Sequence, residues 1–488
     1  MSLSKKLGSI FTSETRNLSP KVEKWLVKKS AGEKAKTVDK SQTSTEITQP
    51  STEITNASQS SKYPTLRERK MLKDGLTLQH FILKPQVLQL YKEILATIEW
   101  MDDPQAAKEL RIWVRQEFER YRHEKDIQIM TNTTTSTPFI LPIINLGLYL
   151  DDKNSTKAIE ECKKTANALR DYGALLVKDP RVTEEDNARF LDLVEDYFAQ
   201  PFDIKLQDAR PEFGYQVGVT PEFTEEPKCK RDPHCQDVIA KIPVSNKPLE
   251  FVGPDPKWRF FWRIGGQPKQ TKFPRLNADP VIPAAFKDEW PKTMDTWGAQ
   301  MHQAVLGITE MASAGFGMDA NTLPDMTKFG PHLLAPTASD LEKFGKVGTV
   351  LAGFHYDLNF LTIHGKSRFP GLNIWPRNGA EKIAVRVPDG HLLVQAGKQF
   401  EWLTGGEVMA GYHEVVVTED TLKTIEKVKI TRPDRPLWRI SSTFFLHIAS
   451  DELLRPLKPF KGDPIRYPPT LAGDQVKYEL GLIELMKS

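Results

Sequence analysis

Two short stretches of the sequence carry side chains that could bind one metal ion. His355 and Asp357 stand two positions apart within residues 353–363, an apolar run that predicts a β-strand. Because side chains two positions apart on a strand point to the same face, an imidazole and a carboxylate would lie side by side. A third ligand must come from elsewhere. The best candidate is His413, which follows Gly411 in a second stretch typical of a strand.

This set of ligands indicates a specific chemistry. Two histidines and one carboxylate form the facial triad of non-haem Fe(II) oxygenases, which leaves coordination positions open for other ligands. The competing interpretation is that His355 and Asp357 form an ordinary polar pair on the surface, with no metal. The His-x-Asp spacing alone does not decide between the two.

A later stretch, residues 438–445, places Arg439 and Ser441 on one face of a predicted strand. A guanidinium beside a hydroxyl can hold a carboxylate, since arginine binds it through two parallel hydrogen bonds and keeps its charge when buried. The alternative is that an internal Asp or Glu pairs with Arg439. The apolar character of the strand favours a bound anion inside a β-rich domain.

Taken in order, His355-x-Asp357, His413 and Arg439-x-Ser441 resemble the signature of the iron- and 2-oxoglutarate-dependent dioxygenases, in their isopenicillin N synthase-like branch. The resemblance implies that the first three residues bind Fe(II) and are catalytic, and that Arg439 and Ser441 bind the co-substrate 2-oxoglutarate. It further implies an enzyme that uses O2 to hydroxylate, desaturate or cyclise a small organic substrate, with release of succinate and CO2. A barrel that has lost catalysis and serves as an interaction module is an alternative.

Two departures from the family pattern concern the co-substrate. Residues 334–337 read Leu-Ala-Pro-Thr where related enzymes often carry a tyrosine that helps to hold 2-oxoglutarate. The interval between His413 and Arg439 is also longer than is usual in the family. A hairpin extension through residues 428–430 would absorb the extra length.

The fold class implied by the resemblance is α+β: a double-stranded β-helix (jelly roll) with flanking helices, preceded by a helical hairpin and a disordered N-terminal tail. Apolar residues at spacings of three and four predict one long support helix over residues 282–315. The charged, Pro-rich residues 203–256 predict an irregular excursion that shapes the mouth of the active site.

These patterns predict six divisions of the chain. They are a disordered tail (1–75), a helical hairpin (76–129), a linker (130–137), an N-terminal dioxygenase region (138–330), the jelly-roll core that binds Fe(II) and 2-oxoglutarate (331–460), and a C-terminal extension (461–488). The tail is rich in Ser, Thr and Lys and cannot bury enough apolar surface to offset its ordering entropy.

The predicted hairpin over residues 76–129 resembles the LYR-motif family of small mitochondrial three-helix proteins. Leu90-Tyr91-Lys92 stands where that family has Leu-Tyr-Arg, and Arg115-x-x-Phe118 stands at its second signature. The resemblance implies an acyl carrier protein as partner, and an adaptor with an accessory or inactive barrel is the alternative function. A Thr-rich linker takes the place of a third helix, so a hairpin that only packs on the following domain is equally open.

Composition limits the remaining classes. A formal net charge of +3 over 488 residues gives no support for nucleic-acid binding, and no apolar run is long enough to span a bilayer. Three cysteines, Cys162, Cys229 and Cys235, are too few for a disulfide framework and are interpreted as free thiols in a reducing compartment. We expect a cytoplasmic protein. The mitochondrial matrix is the alternative, because residues 1–13 combine Lys5 and Lys6 with apolar residues and no acid, as a targeting helix would.

Overall fold

The computed structural model describes residues 141–250, 253–376, 382–463, 465–483 and 485. The tail, the LYR-like hairpin and the linker lie outside the described residues, so their predicted structures stay predictions. The chain divides into two compact units, Met1–Ile140 and Leu141–Ser488, and all described residues lie in the second.

The strands of the described part form two large sheets and one short ribbon. They are β1 (Ile143–Asn145), β2 (Ala174–Lys178), β3 (Gly218–Thr220), β4 (Trp258–Arg263), β5 (Leu333–Leu334), β6 (Thr337–Asp340), β7 (Val350–Tyr356), β8 (Leu361–His364), β9 (Leu372–Trp375), β10 (Ile383–Ala384), β11 (His391–Ala396), β12 (Tyr412–Val416), β13 (Trp438–Ser441), β14 (Thr443–Leu446), β15 (Leu453–Leu454) and β16 (Thr470–Leu471). The ten-stranded sheet has the order β1-β2-β11-β8-β14-β5-β4-β6-β13, with β3 beside β4. The four-stranded sheet has the order β10-β9-β12-β7, and β15 pairs with β16.

Helices flank these sheets. They are α1 (Leu146–Asp151), α2 (Thr156–Tyr172), α3 (Glu184–Phe198), α4 (Phe202–Leu206), α5 (Pro233–Lys241), α6 (Trp290–Gly315), α7 (Thr322–Thr327), α8 (Leu341–Phe344), α9 (Lys398–Leu403), α10 (Glu419–Thr431) and α11 (Ala472–Leu482). Within the described ranges, no helix combines the length and the apolarity that crossing a bilayer would require.

The long support helix is present, but it is shorter than predicted. It begins at Trp290 rather than at residue 282, because Pro280 and Pro283 interrupt the stretch before it and only a 3-10 turn, Ala284–Phe286, forms there. Its predicted apolar stripe is buried and packs against α2, α3 and the ten-stranded sheet. The indole of Trp297 also donates a 2.8 Å hydrogen bond to Ser442 Oγ in the segment between β13 and β14.

The hairpin predicted through residues 428–430 was wrong, since these residues lie in α10. A capping box between Thr418 and Thr421 begins this helix. Ile425 is buried, and Leu422 and Val428 pack in the same small apolar cluster with residues of β7 and β12. The extra length between His413 and Arg439 therefore forms a helix with one apolar face, which packs beside the four-stranded sheet.

Both large sheets contribute residues to the lining of one cavity. Residues of β7 and β12 line it from the four-stranded sheet, and residues of β4, β6, β8, β13 and β14 line it from the ten-stranded sheet. Strands β7 and β12 are antiparallel neighbours in which His413 stands directly opposite His355. The pairing register thus brings together two side chains that are far apart in the chain.

Candidate metal and anion site

The three predicted metal ligands converge at the end of strand β7. The Nε2 atoms of His355 and His413 each lie 3.9 Å from Oδ1 of Asp357, and potential ligand atoms of all three residues fall within 4.8 Å of one another. Asp357 and His413 are buried, and His355 is partly buried. Among the described residues, this is the cluster of His, Cys, Asp or Glu side chains with the geometry for holding a metal ion.

Asp357 is not inside the strand that was predicted for residues 353–363, and that continuous strand was wrong. Strand β7 ends at Tyr356 and β8 begins at Leu361. Asn359 stabilises the bend, because its Nδ2 donates hydrogen bonds to Leu361 O at 2.8 Å and to Leu446 O at 3.2 Å. The carboxylate still lies beside the imidazole of His355, because the chain turns only after the two residues have been placed on the same side.

Hydrogen bonds set the tautomers of both histidines. His355 Nδ1 lies 2.6 Å from Gly353 O, and His413 Nδ1 lies 3.3 Å from Gly411 O. A carbonyl oxygen can only accept, so each Nδ1 carries a proton, and Nε2 is the ring nitrogen that can bind a metal. Burial and the neighbouring His413 also hold the pKa of His355 well below its usual value, which favours the neutral imidazole that binds metals.

The carboxylate of Asp357 is oriented by a hydroxyl from strand β8. Thr362 Oγ1 donates a 2.7 Å hydrogen bond to Asp357 Oδ2, which leaves Oδ1 facing the two imidazoles. Burial opposes ionisation of Asp357, but the facing imidazoles of His413 and His355 outweigh it and hold its pKa below the usual range. The donor set is therefore two imidazole nitrogens and an ionised carboxylate, which fits a divalent iron ion.

A third histidine lines the cavity without completing the cluster. His364 Nε2 lies 3.1 Å from Gln395 Oε1, and its Nδ1 lies 3.1 Å from Thr443 Oγ1, so both ring nitrogens have partners. Burial lowers the pKa of His364 to about 4. It is a neutral side chain that separates the metal cluster from strand β14. Sequence reasoning did not assign Thr362, Gln395 or Thr443, because only the sheet pairing places them here.

Arg439 is buried in the same cavity, on strand β13. Its Nη1 donates a 2.9 Å hydrogen bond to Ser441 Oγ, and its Nε donates one of 3.1 Å to Pro370 O. No carboxylate of the described residues lies within ion-pair distance, so the alternative of an internal acid has no support there. Burial without a counter-charge lowers the pKa of Arg439 to about 10. A buried cation of this kind is stabilised by a bound anion.

A close approach of two strands fixes one of these contacts. Gly371 has φ = +128°, and a Cβ atom there would lie 2.3 Å from Val416 O. Only glycine allows this backbone geometry next to β12. It places the carbonyl of the preceding residue, Pro370, where Arg439 donates to it.

Within residues 334–337, where related enzymes often carry a tyrosine, a threonine lines the cavity. Thr337, on β6, stands directly opposite Ser441 on β13, and both line the cavity. The two hydroxyl-bearing residues thus flank Arg439 from neighbouring strands. The sequence left this contact unassigned, and the pairing of β6 with β13 supplies a candidate.

One wall of the cavity carries four charged residues that sequence reasoning did not single out: Glu225, Asp255, Lys257 and Arg259. Glu225 and Asp255 belong to the stretch predicted as an irregular excursion, which does line the cavity and also contains short helices and strand β3. Asp255 Oδ1 accepts a 3.0 Å hydrogen bond from the backbone of Gly353, two residues before His355. We call these four residues the charged quartet.

The cysteines behave differently from the prediction. Cys229 and Cys235 are joined by a disulfide bond, and Cys162 is a buried free thiol. A 3-10 turn, Lys228–Lys230, is followed by helix α5, and this local path brings the two Cα atoms to 5.0 Å. The prediction of free thiols was therefore wrong for Cys229 and Cys235, and the argument for a reducing compartment loses its support.

The hydrogen bond from Thr362 gives a first testable prediction. Thr362→Val removes the hydroxyl that orients Asp357 at almost unchanged volume, so we expect affinity for Fe(II) to fall by about 10- to 100-fold. Metal titration of the full-length protein measures this. Thr309→Val is the matched control, since this buried hydroxyl donates only to Val305 O of its own helix. Equal metal affinity of both variants would show that Thr362 does not position the ligand.

Comparison with solved structures identifies the fold. A full-length protein of Neurospora crassa, solved in complex with alpha-KG, is 17% identical and superposes with a TM-score of 0.53 over 70% of this chain and 96% of its own. A putative 2OG-Fe(II) oxygenase family protein from Caulobacter crescentus is 20% identical, with a TM-score of 0.53 over 70% of this chain and 99% of its own. The part of the chain that carries the metal cluster therefore has the fold of the 2OG-Fe(II) oxygenases, as the sequence predicted.

The N-terminal segment is identified by sequence. The profile of the family Complex 1 protein (LYR family) matches residues 85–132. LYR motif-containing protein 2 of Salmo salar is 32% identical over 90 residues, which make up 18% of this chain and 90% of that protein. Through this segment the chain belongs to the LYR family, and that prediction is confirmed as well.

Proposed function

We propose that the chain is a non-haem Fe(II)- and 2-oxoglutarate-dependent oxygenase, which oxidises a small organic substrate and releases succinate and CO2. One observation carries this proposal: His355, Asp357 and His413 converge in a cavity that also contains Arg439, a buried cation without an acidic partner among the described residues. The Neurospora crassa neighbour in fold was crystallised with alpha-KG, which supports the same co-substrate here. We assign the two facing sheets as the jelly roll of this class.

The site residues have separate roles in this proposal. His355, Asp357 and His413 would hold Fe(II), which supplies the activation of O2 for coupled oxidation of 2-oxoglutarate and substrate. Thr362 keeps one carboxylate oxygen of Asp357 directed at the imidazoles. Arg439 would bind the distal carboxylate of 2-oxoglutarate, with Ser441 at its side as a second donor.

The surroundings of the site are suited to excluding water. Phe261, Leu333 and Phe445 form an apolar cluster on the wall of the ten-stranded sheet, and all three line the cavity. Leu480 of α11 and Ile483 line it from the C-terminal end of the described chain. Exclusion of water from the cavity strengthens the interaction of Arg439 with a carboxylate and limits side reactions with water during the oxidation.

The proposal is tested with purified full-length protein, Fe(II), 2-oxoglutarate and fractions of a metabolite extract. We expect succinate release that matches O2 uptake and depends on at least one fraction. Iron binding with no turnover of 2-oxoglutarate in any fraction would favour the alternative of a catalytically inactive barrel. The divisions of the chain given above remain part of the proposal.

A second function is supported by the sequence relationship of the N-terminal segment. We propose that residues 76–129 bind an acyl carrier protein, because the LYR family profile covers most of this segment. Leu90-Tyr91-Lys92 and Arg115-x-x-Phe118 are the candidate contacts. Lys92 keeps the positive charge of the family's arginine but lacks its planar fork, so we expect a weaker contact at that position.

Co-purification tests this second function directly. Tagged full-length protein is expected to recover acyl carrier protein from mitochondrial or bacterial extract. Arg115→Glu is expected to abolish recovery because it reverses a charge that, in this proposal, pairs with an acidic partner. Succinate release by the same variant should be unchanged, which shows that the barrel remains folded. Equal recovery by wild type and Arg115→Glu, or none by wild type, would count against the adaptor.

A further inference from the structure

The cavity contains a second guanidinium that the proposed function does not use. Arg259 lies on strand β4 and lines the same cavity as Asp357 and Arg439. Its guanidinium carbon lies 4.0 Å from the centroid of the Phe261 ring. Its Nη2 forms an ion pair with Glu225 Oε1, while its Nε has no hydrogen-bond partner among the described residues. An unpaired buried N–H is costly, and a ligand carbonyl oxygen would satisfy it.

The charge around Arg259 is already balanced. Lys257 Nζ lies 2.5 Å from Asp255 Oδ2 and 3.2 Å from Glu225 Oε2, so the charged quartet contains two acids and two cations in mutual contact. Burial opposes ionisation of Glu225, but Arg259 and Lys257 outweigh it and hold its pKa below the usual range. The charged quartet therefore presents charge-assisted donors and acceptors with no net charge.

Arg439 offers the opposite environment. It has no acidic partner in the described part of the chain, whereas Arg259 has one. A free carboxylate is thus favoured at Arg439. At Arg259 a carboxylate would compete with Glu225 and leave one negative charge buried without compensation. The two arginines thus give one cavity two different electrostatic environments, and we call the surroundings of Arg439 the anion-binding end and those of Arg259 the neutral end.

Two further features line the same cavity. His447, just beyond β14, lines the cavity, and its buried Nδ1 has no hydrogen-bond partner among the described residues. Burial lowers the pKa of His447 to about 3, so it is a neutral donor or acceptor. The rings of Phe261 and Phe445 meet edge to face at 6.0 Å between centroids and provide an apolar surface beside it.

We infer that the substrate is an uncharged molecule with an apolar body and an amide or imide group, whose carbonyl oxygen is bound by Arg259 and whose N–H is bound by the carboxylate of Glu225. The apolar body packs against Phe261 and Phe445, and His447 supplies an additional polar contact. This inference rests on the proposed function, because it names the class of substrate for the same cavity. Arg259 and Glu225 determine specificity, while the metal cluster determines the reaction.

The test uses a matched pair of probes, cyclohexanecarboxamide and cyclohexanecarboxylate. Their binding to full-length protein is measured by ligand-observed NMR under argon with Fe(II) and 2-oxoglutarate, so that no turnover takes place. We expect the amide to bind at least about tenfold more tightly than the carboxylate. Arg259→Met should weaken amide binding by about 10- to 100-fold, the usual effect of removing a hydrogen bond to a charged group, and leave 2-oxoglutarate binding unchanged.

Two variants keep the test decisive. If the methionine variant does not fold, Arg259→Lys takes its place, because lysine retains the positive charge beside Glu225. This variant should still bind the amide more weakly, because lysine lacks the planar donor fork. Arg435→Met breaks a partly buried ion pair with Glu195 outside the cavity and should change neither probe. Preferential binding of the carboxylate, or amide binding that is unchanged in both Arg259 variants, overturns the inference.

The same samples separate this inference from the proposed function. Amide preference that depends on Arg259 in protein that fails to bind 2-oxoglutarate would remove the proposed function and retain the assignment of the neutral end. Normal 2-oxoglutarate binding with no preference between the probes would overturn the inferred class of substrate and leave the proposed function standing.

Discussion

Replacing His355 with alanine is expected to abolish the iron-dependent consumption of 2-oxoglutarate. Only three protein ligands are proposed for the metal, and loss of one leaves two. Removal of an outer partner of a ligand already costs about 10- to 100-fold in metal affinity or activity, so loss of a direct ligand should cost more than about 100-fold. Iron content, succinate release and O2 uptake of the purified variant measure the effect.

His391→Ala is the matched control for this prediction. His391 begins strand β11, its Nδ1 lies 2.9 Å from Asp389 O, and it does not line the cavity. We expect this variant to bind iron and to release succinate at the rate of the wild type. If His355→Ala retained iron and turnover while the fold was intact, the convergence of His355, Asp357 and His413 would have no catalytic meaning.

The metal cluster was largely predictable because its spacing survives an error in secondary structure. The sequence predicted one strand through His355 and Asp357, and the structure ends that strand at Tyr356. The two side chains remain neighbours, since residues two apart at a strand end still lie on one side. The position of His413 could not be predicted from spacing alone, because the pairing register of β7 with β12 decides that it stands opposite His355.

The charged quartet could not be read from the sequence in the same way. Glu225 and Asp255 lie in a stretch without a periodic pattern, and no spacing rule relates them to Lys257 and Arg259. Their contacts exist only because that stretch folds back on strand β4. The helix α10 shows a different limit: the capping residues Thr418 and Thr421 were visible, but the strands around them favoured a hairpin.

Replacing Arg439 with methionine is expected to weaken 2-oxoglutarate binding by roughly 30- to 4,000-fold, which corresponds to the roughly 2–5 kcal/mol that breaking a buried charged pair costs. Affinity for Fe(II) should change little, because none of the three proposed ligands is bonded to Arg439. The variant should also unfold at the same temperature as the wild type without co-substrate, or at a higher one. In that state the guanidinium is a buried charge without a counter-charge among the described residues, and relief of this penalty by an apolar side chain of similar length should offset the loss of its hydrogen bonds to Ser441 and Pro370.

Arg263→Met shows whether such an effect is specific to Arg439. Arg263 is also buried, but its guanidinium donates to Asn277 Oδ1 at 3.1 Å and to Gly266 O at 3.0 Å, and it does not line the cavity. Its replacement leaves those acceptors unpaired and also removes the attraction of Asp279, an acid that partly offsets the burial of Arg263 and has no equivalent at Arg439 among the described residues, so we expect a lower unfolding temperature with unchanged 2-oxoglutarate affinity. Arg439→Met should therefore weaken co-substrate binding without loss of stability, and Arg263→Met should lower stability without a change in co-substrate binding. If Arg439→Met instead lowered stability and left 2-oxoglutarate binding intact, Arg439 would be a structural arginine like Arg263, and the cavity would have lost its anion-binding end.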